Sequence, residues 1–141
     1  MSNTEATTPI YSVLCVDDEQ NILRSIKRAL FSMKIDLTLV ESGEEALAIM
    51  AQKTIHVVIS DMKMPHMTGA ELLEKVAAKY PDTYRVVLTG FADIDATIKA
   101  VNQGRIHRYL QKPWDNQELI TTIEEGLERV KLKDENARLQ K

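Results

Sequence analysis

Val57-Val58-Ile59-Ser60-Asp61 is a short, almost wholly apolar run that stops on a carboxylate. The pattern recurs along the chain. Val13–Val16 runs into Asp17 and Asp18, Val86–Leu88 into Thr89, and Ile106–Leu110 into Lys112 and Pro113. Nearly continuous apolar runs of this length suit strands buried on both faces of a parallel sheet. If the runs are parallel, their endings share one edge, where open α/β folds place their ligands.

Helical periodicity fills the intervals. Ile22, Ile26, Ala29, Leu30 and Met33 make one stripe, and Ala46, Leu47 and Met50 a shorter one after Ser42–Gly43. Leu72, Leu73, Val76 and Ala77 make a third, stopped at Tyr80–Pro81 because proline disfavours helical geometry in the residue before it. Ile94, Thr97, Ile98 and Val101 make a fourth, with Gly104 as its C-cap. The fifth is capped by Asp115 and continues through Leu119, Ile120, Ile123 and Leu127. Strands are predicted at Tyr11–Val16, Ile35–Glu41, Ile55–Ser60, Arg85–Thr89 and Ile106–Leu110.

Five βα units predict a doubly wound parallel sheet covered on both faces. Strands 2 and 5 alternate apolar and polar residues, which marks half-exposed edges. With right-handed crossovers the simplest order is 2-1-3-4-5, the flavodoxin-like (βα)5 arrangement, with its switch point between strands 1 and 3.

Composition sets outer bounds. The chain of 141 residues has room for one ordinary domain, and its net charge of −3 offers no electrostatic case for nucleic-acid binding. No apolar run approaches the roughly 20 residues that cross a bilayer. The first ten residues lack a basic and apolar leader, and a mobile arm is predicted over residues 1–9. The single Cys15 lies inside an apolar run and reads as a small buried hydrophobe, which suits a cytoplasmic setting. His56, His66 and His107 have no metal-like spacing and read as surface or loop residues.

Three carboxylates in one crevice repel one another, and burial adds to the cost unless something neutralises them. Oxygen ligands without a His or Cys cluster suit Mg²⁺ or Mn²⁺. Lys112 brings a second positive charge and Thr89 an orientable hydroxyl. A cation, an ammonium and a hydroxyl around an aspartate meet the demands of phosphoryl transfer, with the carboxylate as nucleophile. Taken singly, each residue has a plain alternative as cap, turn or surface group; the functional reading rests on their coincidence at one edge.

These residues resemble the receiver domain of two-component response regulators, the chemotaxis regulator's family. The resemblance rests on Val-Asp-Asp-Glu at Val16–Glu19, Ser-Asp-Met-Lys-Met-Pro and a following glycine at Ser60–Gly69, Leu-Thr-Gly at Leu88–Gly90, and Tyr-Leu-Gln-Lys-Pro at Tyr109–Pro113. It implies that Asp61 accepts a phosphoryl group from the phosphohistidine of a sensor histidine kinase or phosphotransfer protein. It implies Mg²⁺ held by Asp18 directly, by Asp17 mostly through water, by Asp61 and by the Lys63 backbone carbonyl. Lys112 would pair with the phosphoryl group, and the Lys112–Pro113 bond would be cis. Thr89 and Tyr109 would form the switch pair, repacking the face of the fourth helix, fifth strand and fifth helix for an output domain or partner. The expected role is a switch without small-molecule turnover. Lys63 and Phe91, each two residues past a site residue, are expected to flank the hydrolytic water and slow loss of the phosphoryl group.

Two rivals share parts of this pattern. A flavin-binding flavodoxin needs a Ser/Thr-rich phosphate loop where Asp17-Asp18-Glu19 stands, and a haloacid dehalogenase-type phosphohydrolase needs a second aspartate two past Asp61, where Lys63 stands. The receiver is expected over residues 10–129, with a helical extension over 130–141 leading to an absent output domain of HD phosphohydrolase or AAA activator type. In that extension Ile120, Ile123, Leu127, Val130, Asp134 and Ala137 read either as a heptad-like seam for a homodimer or as a solvated helix of mixed charge.

Overall fold

In the computed structural model, which describes residues 10–139, alternate residues of each central strand face opposite layers of helix. The expected arm over residues 1–9 lies outside the described residues, as does the side chain of Ala137. The elements run β1 (Ser12–Val16), α1 (Gln20–Ala29), β2 (Asp36–Val40), α2 (Gly43–Gln52), β3 (Val57–Asp61), α3 (Gly69–Lys79), β4 (Tyr84–Thr89), a 3₁₀ turn (Phe91–Asp93), α4 (Ile94–Asn102), β5 (Arg108–Gln111) and α5 (Asn116–Leu139). All strand pairs are parallel, in the order β2-β1-β3-β4-β5. No helix among the described residues is long and apolar enough to cross a membrane.

Strand alternation builds two cores. Val13, Cys15, Val57, Ile59, Val86 and Leu88 pack against Leu23 and Ile26 of α1 and Leu119 and Ile123 of α5. Leu14, Val16, Val58 and Val87 pack on the other face against Ala46 and Met50 of α2, Leu72, Leu73 and Val76 of α3, and Ala100 of α4. Each such fully buried aliphatic side chain stabilises the fold by roughly 1.5–3 kcal/mol. Burial pushes the Cys15 thiol up to about 12, with Asp17 adding to the shift, so it stays a neutral hydrophobe. Leu23, absent from the stripe read for α1, is buried, while Ile22 is only partly so.

Local chemistry ends the helices as the sequence suggests. Thr68 and Glu71 form a capping box at α3, and the Asp115 carboxylate accepts the Gln117 and Glu118 amides at α5. Gly104, at φ 80°, closes α4 in a left-handed turn, with its amide on the Val101 carbonyl and the Arg105 amide on the Ala100 carbonyl.

His56 and His107 do lie in loops, just before β3 and β5, but they are half-buried and tied into the sheet rather than free at the surface. Each donates its backbone amide to the neighbouring strand and accepts that strand's amide on its ring. His56 Nδ1 takes the Ser12 amide at 3.0 Å, and His107 Nδ1 takes the Arg85 amide at 2.9 Å. The ring nitrogen stands in for a ladder carbonyl, so β3 and β5 begin at Val57 and Arg108 rather than at Ile55 and Ile106. His66 does sit exposed in a loop, at φ 68°. Arg85 is buried and spends its guanidinium on the carbonyls of Pro81, Thr83, Gly104 and Arg105, bracing two loops together.

The last helix packs on the domain well beyond Leu119. Ile120 and Leu127 lie against the core with Ile123, Val130 is buried, and Lys133 pairs with Asp82 at 2.8 Å. Ile120, Ile123, Leu127 and Val130 of the heptad-like pattern thus serve the domain itself, and Asp134 is exposed. Gly126 faces the Tyr84 ring, which also stacks on His107 with centroids 4.7 Å apart. A Cβ at Gly126 would stand 2.5 Å from a Tyr84 ring carbon.

Gly126→Ala is therefore expected to destabilise by about 1–3 kcal/mol through overpacking, despite a helix-propensity gain of about 1 kcal/mol; chemical denaturation checks the sign. Burial first, then the charges of Arg85, Arg129 and Lys133, lowers His107 from 6.5 to about 4. The unfolded chain then binds the extra proton, so this contribution is complete above about 6.5 and is lost as pH falls toward about 4. Thermal midpoints should show a shallower acid limb in His107→Gln across that window; parallel limbs would refute the assignment.

Candidate functional site

The strand register assembles the site. Val16 pairs with Ser60, which sets Asp17 level with Asp61. Asp61 pairs with Leu88 and Thr89 with Gln111, so Thr89 and Lys112 each follow one step beyond their neighbour strand. The Lys112 amide donates to the Thr89 carbonyl at 2.8 Å, and the Lys112–Pro113 bond is cis. Behind Asp61 the chain turns tightly. Gly69 donates its amide to the Met62 carbonyl at 2.9 Å, and a Cβ on it would stand 2.1 Å from the Asp61 carbonyl oxygen. Only a glycine lets α3 start this close to the Asp61 backbone.

Asp17, Asp18 and Asp61 bring carboxylate oxygens within 4.8 Å of one another. Asp17 and Asp61 are buried, whereas Asp18 is exposed. The Lys112 ammonium lies 2.8 Å from Asp61 Oδ1 and 3.7 Å from Asp17 Oδ2. Asp17 Oδ1 accepts the Glu19 amide at 2.9 Å, but its Oδ2 is buried without a hydrogen-bond partner. Burial raises Asp17 to about 6, and the charges of Asp61 and Asp18 add to this, while the Glu19 amide and Lys112 hold it down. Burial alone would lower Lys112; its hydrogen bond to Asp61 and the charges of Asp61, Asp17 and Glu19 outweigh that and raise it. One ammonium therefore faces more negative charge than it balances. A donor set of carboxylate oxygens containing an orphaned buried oxygen fits a hard divalent cation.

The remaining expected residues fall around this centre. Lys63 lines the open cleft over Asp61, together with Asp18, Glu19 and Lys112. Phe91 does not line it: its side chain is 81% exposed, because the 3₁₀ turn after Gly90 carries it outward. Tyr109 is half-buried on β5 against the layer of α2, α3 and α4. Thr89 is fully buried and its hydroxyl meets that of Thr97 on α4 at 2.9 Å. Sequence reading placed Thr97 only in an apolar stripe; the signal it carried was a polar residue on the buried side of a helix. Gly69 was visible as part of a motif, but the close approach that requires it was not.

Comparison with known proteins points one way. The response regulator receiver domain family matches residues 13–124. The chain is 34% identical over 139 residues to the hydrogenase transcriptional regulatory protein HoxA of Cupriavidus necator, covering 99% of this chain and 28% of HoxA. It is 36% identical to the DNA-binding transcriptional regulator NtrC of Salmonella typhimurium, over 82% of this chain and 24% of NtrC. The chain thus spans only about a quarter of these curated relatives. Among solved structures, an uncharacterized protein of Neptuniibacter caesariensis superposes with a TM-score of 0.88 at 45% identity, covering 93% of this chain and 97% of that one. The signal receiver domain of an HD domain-containing protein from Pseudomonas fluorescens Pf-5 superposes at 0.82 with 35% identity, covering 86% and 98%.

Removing the buried Asp17 charge, one oxygen of which lacks a hydrogen bond, should relieve the metal-free fold. Asp17→Asn is expected to raise its stability by about 1–3 kcal/mol, the cost of leaving a buried group unsatisfied. Mg²⁺ should raise the melting temperature of the wild-type chain and raise that of the variant much less. Equal metal shifts in both proteins would remove Asp17 from the cation site.

Proposed function

The chain belongs to the response regulator receiver domain family, and on that premise we propose that Asp61 is its phosphoacceptor. Receiver domains are signalling switches rather than turnover enzymes, and the flavodoxin and phosphohydrolase readings fall with the family assignment. The observation that carries the proposal is Lys112 at 2.8 Å from Asp61, beside two further carboxylates of which one is buried and incompletely paired.

The chemistry follows from that arrangement. An Asp61 carboxylate oxygen attacks the phosphorus of a phosphohistidine on a sensor histidine kinase or phosphotransfer protein. The phosphorus–nitrogen bond breaks as the phosphorus–oxygen bond forms, and the imidazole leaves with the electron pair. Asp17, Asp18, Asp61 and the Lys63 backbone carbonyl would hold Mg²⁺, which when bound neutralises charge on the transferring phosphoryl oxygens. Lys112 keeps its ammonium on the same side and pairs with the phosphoryl group once it is in place. Open space over Asp61 leaves a path for the in-line donor.

Thr89 then reads the product. Its hydroxyl turns from α4 to a phosphoryl oxygen, and Tyr109 moves further into the layer it already touches. That repacks the face of α4, β5 and α5, which in this reading contacts an output domain or a downstream partner, or a second copy of the chain. The matched part is only about a quarter of two relatives named as transcriptional regulators, and a similar receiver comes from an HD domain-containing protein; both support an attached output domain. Lys63, lining the cleft, is proposed to shield the acyl phosphate from water; exposed Phe91 is not assigned that role.

Incubation with acetyl phosphate and Mg²⁺ should add one phosphoryl group by intact mass to the wild-type chain and none to Asp61→Asn. Labelling that survives the substitution would overturn the site. In the same assay Lys63→Ala should shorten the acyl-phosphate lifetime, and an unchanged lifetime would remove the shielding role.

A further inference from the structure

The buried contact between Thr89 and Thr97 carries a consequence for switching. Both residues are 0% exposed, and the hydroxyls meet at 2.9 Å between the end of β4 and the second turn of α4. The Thr97 hydroxyl has a second acceptor, the Asp93 carbonyl one turn back, also at 2.9 Å. Among the described residues the Thr89 hydroxyl has only the Gly90 carbonyl besides, at a longer 3.3 Å. The pair is therefore lopsided. If Thr89 rotates away, Thr97 remains satisfied within α4, so the helix bears no orphaned hydroxyl. If Thr97 is absent, Thr89 is left in a dry site with one stretched partner, and such a group is costly to keep there.

We propose that Thr97 is a positioning residue that holds the Thr89 hydroxyl in its resting orientation, so that one hydroxyl–hydroxyl bond sets how readily a phosphoryl group on Asp61 recruits Thr89 and loosens α4. The proposal rests on the reading of Asp61 and Thr89 given above. It predicts that deleting the Thr97 hydroxyl without changing its volume biases the domain toward the phosphorylated arrangement. A single hydrogen bond of ordinary net worth corresponds to about a two- to tenfold change in an equilibrium.

The test uses beryllium fluoride with Mg²⁺ as the phosphoryl mimic, with affinity measured by calorimetry. Thr97→Val should bind it about two- to tenfold more tightly than wild type, and Thr97→Ser, which restores the hydroxyl, should bind as wild type does. In a Thr89→Ala background, Thr97→Val should change nothing, because the hydroxyl it releases is gone. Unchanged or weaker binding by Thr97→Val, with normal binding by wild type, would overturn the positioning role and leave the phosphoacceptor reading intact. Equal tightening in both backgrounds would also overturn it, since the effect would then bypass Thr89. No binding by the folded wild-type chain would instead overturn the reading on which the proposal rests.

Discussion

Excess negative charge held in one crevice is the constraint to which the rest of the molecule answers. Asp17, Asp18 and Asp61 place carboxylate oxygens within 4.8 Å of one another, and among the described residues Lys112 alone makes an ion pair with them. A flexible loop would relax such a cluster by moving its members apart. Here Asp61 ends a buried strand, Asp17 follows another, and Lys112 follows a third, so the sheet holds them together. The apolar packing on both faces supplies the stability that this repulsion costs, and Gly69 removes the last steric obstacle to closing the loop behind Asp61.

Much of this was legible in the chain because burial leaves a period. The continuous runs of β1, β3 and β4 and the alternation of β2 separated interior strands from edges, and the order β2-β1-β3-β4-β5 followed. Asp17, Asp18, Asp61, Thr89 and Lys112 were visible because each directly follows or ends such a run. The strand starts were less legible for a specific reason. At His56 and His107 an imidazole nitrogen replaces a backbone carbonyl in the ladder, and no propensity scale registers that exchange. Thr97 was hidden because a threonine's methyl fits an apolar stripe as well as a valine's. Gly126 looked like a helix defect, whereas it makes room for the Tyr84 ring.

The end of the molecule remote from the carboxylates is built of different material. There the buried polar side chains pair with backbone. His56 and His107 receive amides, Ser12 gives its hydroxyl to the Thr54 carbonyl, Thr83 gives its own to the Ile55 carbonyl, and Arg85 meets four carbonyls. Val130 and Lys133 of α5 close over the same region. One edge of the sheet thus stores unbalanced charge while the other is saturated with hydrogen bonds.

Arg85 gives that contrast a mechanical meaning. Its guanidinium grips Gly104 and Arg105, the residues that follow α4, whereas the first turns of α4 are held to β4 through the Thr97 hydroxyl. The helix is thus a boom with a riveted heel and a tip on a catch. In the proposed switch, releasing the tip would leave the heel in place, so α4 would pivot instead of sliding. Its travel would then be greatest beside the carboxylates and would vanish near the Arg85 rivet, and a small rotation of one side chain would be magnified along the helix into a change of outline at its free end.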